Sequence, residues 1–172
     1  METGLIHIYC GDGKGKTTAA AGLAARCVGG GGKAAFFQFL KDNVSGERTA
    51  LKKAGVDVID GYDGLGKVWT FTDEQVRDMF VWYEDKFKEI RKNAPKYDLL
   101  VLDEAIDAVN HGYIRRDTIL DFLRTKPTGL EVIMTGRNPD REFLEIADYV
   151  TEMRKIKHPY DNGITARKLI EF

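Results

Sequence analysis

Short continuous apolar runs alternate along the chain with stretches of helical periodicity, and that alternation predicts an α/β architecture. "LIHIYC" (Leu5–Cys10) reads as a first strand. An alanine-rich helix follows from Thr17 to about Val28 and is stopped by the glycines at 29–32, which adopt left-handed geometry cheaply. Lys33–Leu40 reads as a second buried strand, Glu47–Ala54 as a short helix and Val56–Ile59 as a third strand. An irregular loop, Asp60–Phe71, leads to Thr72 and Gln75. Their T-x-x-Q spacing is a capping-box signal for a long helix running towards Asn93. Tyr97–Glu104 is apolar on both faces and ends in two acids, the pattern of a strand covered by helices on both sides. A helix over Arg116–Arg124 and a strand over Leu130–Gly136 come next, then a helix with Asn138 as N-cap and Pro139 as its first residue. Asp148–Arg154 reads as a last core strand, and the polar tail from Lys157 is expected to wrap the surface. No repeat or linker interrupts the pattern, so residues 1–172 are expected to form a single domain with a mostly parallel central sheet and helices on both faces.

Composition narrows the function classes. Hydrophobic residues make up 43% and charged residues 31%, the balance of a soluble globular protein. A formal net charge of −1 argues against a general nucleic-acid or membrane-surface binder, so any anion site must be local. There is no basic stretch followed by an apolar leader and no apolar run of membrane-spanning length, and the expected location is cytoplasmic. Cys10 and Cys27 form no C-x-x-C pair, which disfavours a structural zinc site or disulfide framework. His7, His111 and His158 lack metal spacing and read as packing or surface residues. No Ser-His-Asp or Cys-His arrangement is suggested, and Cys10 reads as a small buried residue rather than a nucleophile.

The sharpest chemical signal is "IYCGDGKGKTTAA" (Ile8–Ala20). Gly15-Lys16-Thr17 matches the end of the phosphate-loop pattern G-x-x-x-x-G-K-[ST], with Cys10 where the first glycine is expected. Gly11, Gly13 and Gly15 allow the backbone close to a ligand, and Gly11 can take over the turn. Lys16 is placed for phosphate oxygens, and Thr17 offers a hydroxyl to Mg²⁺. A strand precedes the loop and a helix starts inside it, so the fold class is expected to be P-loop NTPase-like. Asp103 and Glu104 supply the acidic strand end that supports a metal in such proteins. A regular strand points them to opposite faces, so one is expected to serve the metal and the other the structure, without the residues choosing between them. Arg137, after the "VIMTG" strand, is placed to grip a polyphosphate, although its position alone equally allows a solvent-exposed arginine. Trp69 and Phe71 either flank a flat ligand or cover the core. On these motifs alone, a P-loop kinase or ATPase acting on another small molecule is the alternative reading.

Taken in order, "YCGDGKGKTTAAAGLAAR", "FFQFLKDNVSGE", "DLLVLDEAIDAVNHGYI", "VIMTGRNPDREFLEIAD" and "KHPYDNGITARKLIEF" resemble the P-loop class of ATP:corrinoid adenosyltransferases over nearly the whole chain. The resemblance implies transfer of the 5′-deoxyadenosyl group of ATP to the Co(I) of a reduced corrinoid, cobalamin or a precursor, with release of intact triphosphate. It further implies Mg²⁺ (or Mn²⁺), a flavoprotein reductant and a homodimer. By the same resemblance Gly11–Thr18 bind the nucleotide, Thr17 ligates the metal, and Glu104 is favoured over Asp103 as the metal carboxylate. Lys16 and Arg137 would act on the leaving triphosphate. Gln38 falls where corrinoid-side residues begin, and Trp69 falls near an aromatic loop that handles the lower face of cobalt. There this sequence has Lys67 in place of an aromatic, with Phe71 as the candidate substitute. Only Met1–Gly4 precede the first strand, so no counterpart of the N-terminal arm of some members is expected.

Overall fold

The structure is a computed structural model that describes residues 2–63 and 71–170. Its centre is a six-stranded sheet of order β3-β2-β4-β5-β1-β6. The strands are β1 (Ile6–Cys10), β2 (Ala34–Gln38), β3 (Asp57–Ile59), β4 (Leu99–Asp103), β5 (Glu131–Thr135) and β6 (Tyr149–Glu152). Every neighbouring pair is parallel. All carboxyl ends therefore meet at one edge of the sheet, which is what gathers residues distant in sequence into one site. The described helices are α1 (Lys16–Gly29), α2 (Gly46–Ala54), α3 (Asp73–Asn93), α4 (Ala105–Asn110), α5 (Arg116–Thr125) and α6 (Arg141–Ile146).

Alternation within β2 and β4 feeds two cores. Ala34, Phe36, Leu99 and Val101 join Ala20 and Ala24 of α1 on one face. Ala35, Phe37, Leu100 and Leu102 join Met79, Tyr83 and Phe87 of α3 and Ile119, Phe122 and Leu123 of α5 on the other. Both faces are covered, so every residue of β2 and β4 is buried and the strands read as continuous apolar runs. The capping box at α3 is present: Gln75 N donates to Thr72 Oγ1 at 3.2 Å, and Thr72 N donates to Gln75 Oε1 at 2.9 Å.

Several expectations need correction. β2 ends at Gln38 rather than Leu40 because Leu40 turns to φ 56°. β4 ends at Asp103 because Glu104 adopts φ 60°, and the short helix α4, which the sequence pattern did not reveal, begins immediately after. Asn138 and Pro139 do not start α6. Asn138 sits at φ 49°, with the Asn110 side chain donating to its carbonyl at 3.2 Å. Asp140 is the cap, its Oδ1 accepting from Glu142 N at 2.9 Å. β6 is an exposed edge strand rather than a core strand. Among the described residues, no helix is long and apolar enough to cross a membrane.

Candidate active site at the carboxyl edge of the sheet

The loop between β1 and α1 is shaped by close backbone approach. Gly11 has φ +98°, and a Cβ there would lie 2.5 Å from the Met153 carbonyl oxygen. A Cβ on Gly13 would meet the same oxygen at 2.5 Å, and Gly13 N donates to it at 2.6 Å. The chain leaving β6 thus lies directly on the loop, and only glycines allow it. Gly11 thus makes a left-handed turn at the entry of the loop, one residue after Cys10. Lys16 Nζ reaches back to the carbonyls of Gly11 (2.8 Å) and Gly13 (3.0 Å) and so spans the cradle. Cys10 is buried and burial pushes its thiol up, which fits a packing residue rather than a nucleophile.

One cavity of about 710 Å³ opens here. It is lined by Asp12, Gly13, Lys14, Gly15, Lys16, Thr17 and Thr18 of the loop, by Glu104 after β4 and by Arg137 after β5. Asp103 lies behind the lining, with no exposed surface. Its Oδ2 accepts from Thr17 Oγ1 (3.2 Å), Gln38 Nε2 (3.1 Å) and Lys41 Nζ (3.2 Å), and its Oδ1 accepts from Thr135 Oγ1 (2.7 Å). The two acids do not point to opposite sides of a regular strand. The left-handed turn at Glu104 ends the strand between them and brings the second carboxylate to the cavity. Burial first, then the neighbouring Asp103 and Asp107, push Glu104 up to about 7. Arg137 is exposed, and its amide is held by Asp107 Oδ2 at 2.8 Å.

The geometry also revises the remaining candidates. Gln38 is fully buried. It donates to Asp103 and Glu47 and accepts from Ser45 Oγ at 3.0 Å, so its side chain holds the site from behind and offers no open face to a corrinoid. Phe71 packs half-buried against the larger core and is absent from the cavity lining, which is the core-covering reading. Trp69 and Lys67 lie outside the described residues.

Sequence reasoning missed Lys41 and the tail. Lys41, from the β2–α2 loop, lines the cavity and reaches Thr17 Oγ1 at 3.3 Å and Glu47 Oε1 at 3.5 Å. Burial opposes its charge, but Asp103, Glu104 and Glu47 outweigh it and the ammonium is held above its usual range. Its one sequence signal is its place just past a strand's carboxyl end. His158, Leu169 and Ile170 line the cavity too, and Lys155 N donates to Asp12 Oδ1 at 2.9 Å. The tail therefore crosses the phosphate loop instead of only covering surface. A second hollow, of about 440 Å³, shares Asp12, Arg137 and His158 with the first.

A parallel sheet with a glycine loop, a lysine and an acidic strand end at its carboxyl edge defines a P-loop nucleotide-binding protein. Solved structures agree on the fold. EssC (ATPases 2 and 3) of Geobacillus thermodenitrificans superposes with a TM-score of 0.51 at 16% identity, covering 96% of this chain and 35% of that one. A KaiC-like protein of Pyrococcus horikoshii gives 0.50 at 18% identity, covering 88% and 73%. Within that class, residues 2–172 match the family described as ATP:corrinoid adenosyltransferase BtuR/CobO/CobP. The chain is 36% identical to the corrinoid adenosyltransferase CobA of Salmonella typhimurium, over 99% of this chain and 87% of that protein. It is 37% identical to a corrinoid adenosyltransferase of a Sinorhizobium species, over 99% and 81%. The chain belongs to the ATP:corrinoid adenosyltransferase family. Membership puts it among transferases, and the family's name states an adenosyl transfer from ATP to a corrinoid.

Proposed function

We propose that this site, in a single nucleotide-binding domain, transfers the 5′-deoxyadenosyl group of ATP to the Co(I) of a reduced corrinoid and releases triphosphate whole. The observation that carries the reading is the cavity itself: four cationic side chains, Lys14, Lys16, Lys41 and Arg137, line it together with the glycines of the phosphate loop. Such a site is suited to stabilising a departing polyanion rather than to supplying a nucleophile.

In this mechanism the cobalt attacks C5′, the C5′–O bond breaks, and its electron pair leaves with the triphosphate. Cobalt is the nucleophile, so no side chain needs to deprotonate anything. Lys16 and the loop amides bind the triphosphate. Arg137 approaches it from β5, and its exposed side chain is free to follow the charge as it leaves. The tail residues His158, Leu169 and Ile170 form part of the cavity wall. Hard oxygen donors from one hydroxyl and two carboxylates fit Mg²⁺ (or Mn²⁺), which takes few protein ligands and completes its shell with phosphate. Thr17 and Glu104 would hold the ion, with Asp103 fixing Thr17. The ion would draw charge from the triphosphate when bound.

A flavoprotein reductant, a homodimer and a cytoplasmic location complete the proposal. Incubation with ATP, Mg²⁺ and chemically reduced corrinoid should yield adenosylated corrinoid and triphosphate in equal amounts. Release of ADP without corrinoid product would return the kinase or ATPase reading.

A further inference from the structure

Lys41 stands where the site needs a cation. Its ammonium lies 3.3 Å from Thr17 Oγ1, 3.2 Å from Asp103 Oδ2 and 3.5 Å from Glu47 Oε1. Thr17 and Asp103 are themselves joined at 3.2 Å, so the three atoms form a closed triangle. Thr17 and Glu104 are the oxygens assigned above to a divalent cation, and Asp103 is the carboxylate behind them. An ammonium is a compact charge with three donors on a flexible stem. It satisfies the lone pairs that a hard cation would otherwise take.

The placement of this lysine is built by its neighbours. Phe39 N donates to the Asp103 carbonyl at 2.9 Å, carrying the β2–β4 pairing up to the turn. Leu40 then turns at φ 56°, and its amide is held by the Tyr83 hydroxyl at 2.9 Å. Gln38 Nε2 bridges Asp103 and Glu47 and so fixes the carboxylates on either side of the ammonium. The side chain nevertheless remains 31% exposed and lines the cavity, so a path outward is open to it.

We infer that Lys41 is the resident counter-ion of the divalent-cation site. It neutralises the Thr17–Asp103 cluster before nucleotide arrives, is displaced by the incoming ion, and then turns its ammonium to the triphosphate. The inference rests on the metal assignment under Proposed function. It carries a consequence that a simple phosphate-binding lysine would not have. Ion and ammonium compete for the Thr17 hydroxyl oxygen and repel each other beside it, so the ion alone binds weakly. ATP gives the displaced ammonium a new partner, so ion and ATP strengthen each other's binding.

The test is a titration of free Mn²⁺ by electron paramagnetic resonance on the full chain without nucleotide, with thermal melts to verify folding. Lys41→Met should bind Mn²⁺ about tenfold or more tightly than wild type, because a competing charge at contact distance is gone. Lys41→Arg should stay near wild type. Lys41→Gln is a second uncharged variant with the same expectation as Lys41→Met. If Asp103→Asn and Glu104→Gln weaken Mn²⁺ binding but neither uncharged variant strengthens it, the counter-ion role is overturned while the metal assignment stands. Mn²⁺ binding indifferent to both Asp103→Asn and Glu104→Gln overturns the metal assignment and this inference with it.

Discussion

Thr17 and Asp103 are 86 residues apart in the chain, and the Thr17 hydroxyl donates to Asp103 Oδ2 at 3.2 Å. The bond joins the start of α1 to the end of β4 and fixes Thr17 in the cavity lining. Asp103→Asn keeps the shape but removes the charge that orders Thr17, Lys41 and Gln38. Loss of such a carboxylate behind a metal ligand typically costs about 10–100-fold in metal affinity or activity. Steady-state turnover against Mg²⁺ concentration should show that loss as a raised metal requirement. An unchanged Mg²⁺ dependence would make Asp103 a packing residue only.

Lys16 bridges the Gly11 and Gly13 carbonyls and faces the same cavity. Lys16→Ala should lower turnover with ATP by roughly 10²–10³-fold, the effect of removing one preorganised charge from a developing anion. The melting temperature should move by no more than about 4 °C, since the lysine's hydrogen bonds to the two carbonyls are only partly buried. Wild-type turnover in this variant would refute the assignment of the phosphate loop.

Gly13 tests the contact between tail and loop. Its amide donates to Met153 O at 2.6 Å, and an added Cβ would sit 2.5 Å from that oxygen. Gly13→Ala must therefore push the segment after β6 off the loop. ATP affinity by calorimetry should fall, and limited proteolysis should cut faster beyond Met153. Protection equal to wild type would mean that the tail is held by other contacts, such as Lys155 N to Asp12.

The parts of the site legible in the sequence were those encoded locally. The run "GDGKGKT" carries its own geometry, and "LLVLDE" announces both a buried strand and the acids at its end. Lys41 and His158 were not legible as site residues, because what brings them to Thr17 and Asp12 is the parallel order of the strands and the path of the tail. The roles of Asp103 and Glu104 were ambiguous for another reason. Period-two alternation holds only while the strand lasts, and a single left-handed residue at Glu104 cancelled it. The Asn138 cap failed similarly: Asn110 from α4 holds the carbonyls of Arg137 and Asn138, and capping moved to Asp140.

Tyr83 links core to site, since its hydroxyl accepts from the Leu40 amide at 2.9 Å, one residue before Lys41. Tyr83→Phe leaves that amide without its acceptor and should cost about 1 kcal/mol at neutral pH. Lys41 should be less well placed, and KM for ATP should rise several-fold. The hydroxyl also imposes a pH signature. Burial, only partly offset by the Leu40 amide, pushes Tyr83 from 10.0 up to about 12. The folded chain thus holds this proton more tightly than the unfolded one. The stability that follows is fully present below pH 10 and is lost as pH rises through about 12. Two units correspond to roughly 2–3 kcal/mol for a side chain this buried. Denaturant unfolding between about pH 9 and 12 should show wild type losing stability faster than Tyr83→Phe. Tyr97, also pushed up to about 12, is common to both proteins and cancels in the difference. Parallel curves for the two proteins would mean that the Tyr83 hydroxyl does not ionise within the folded core.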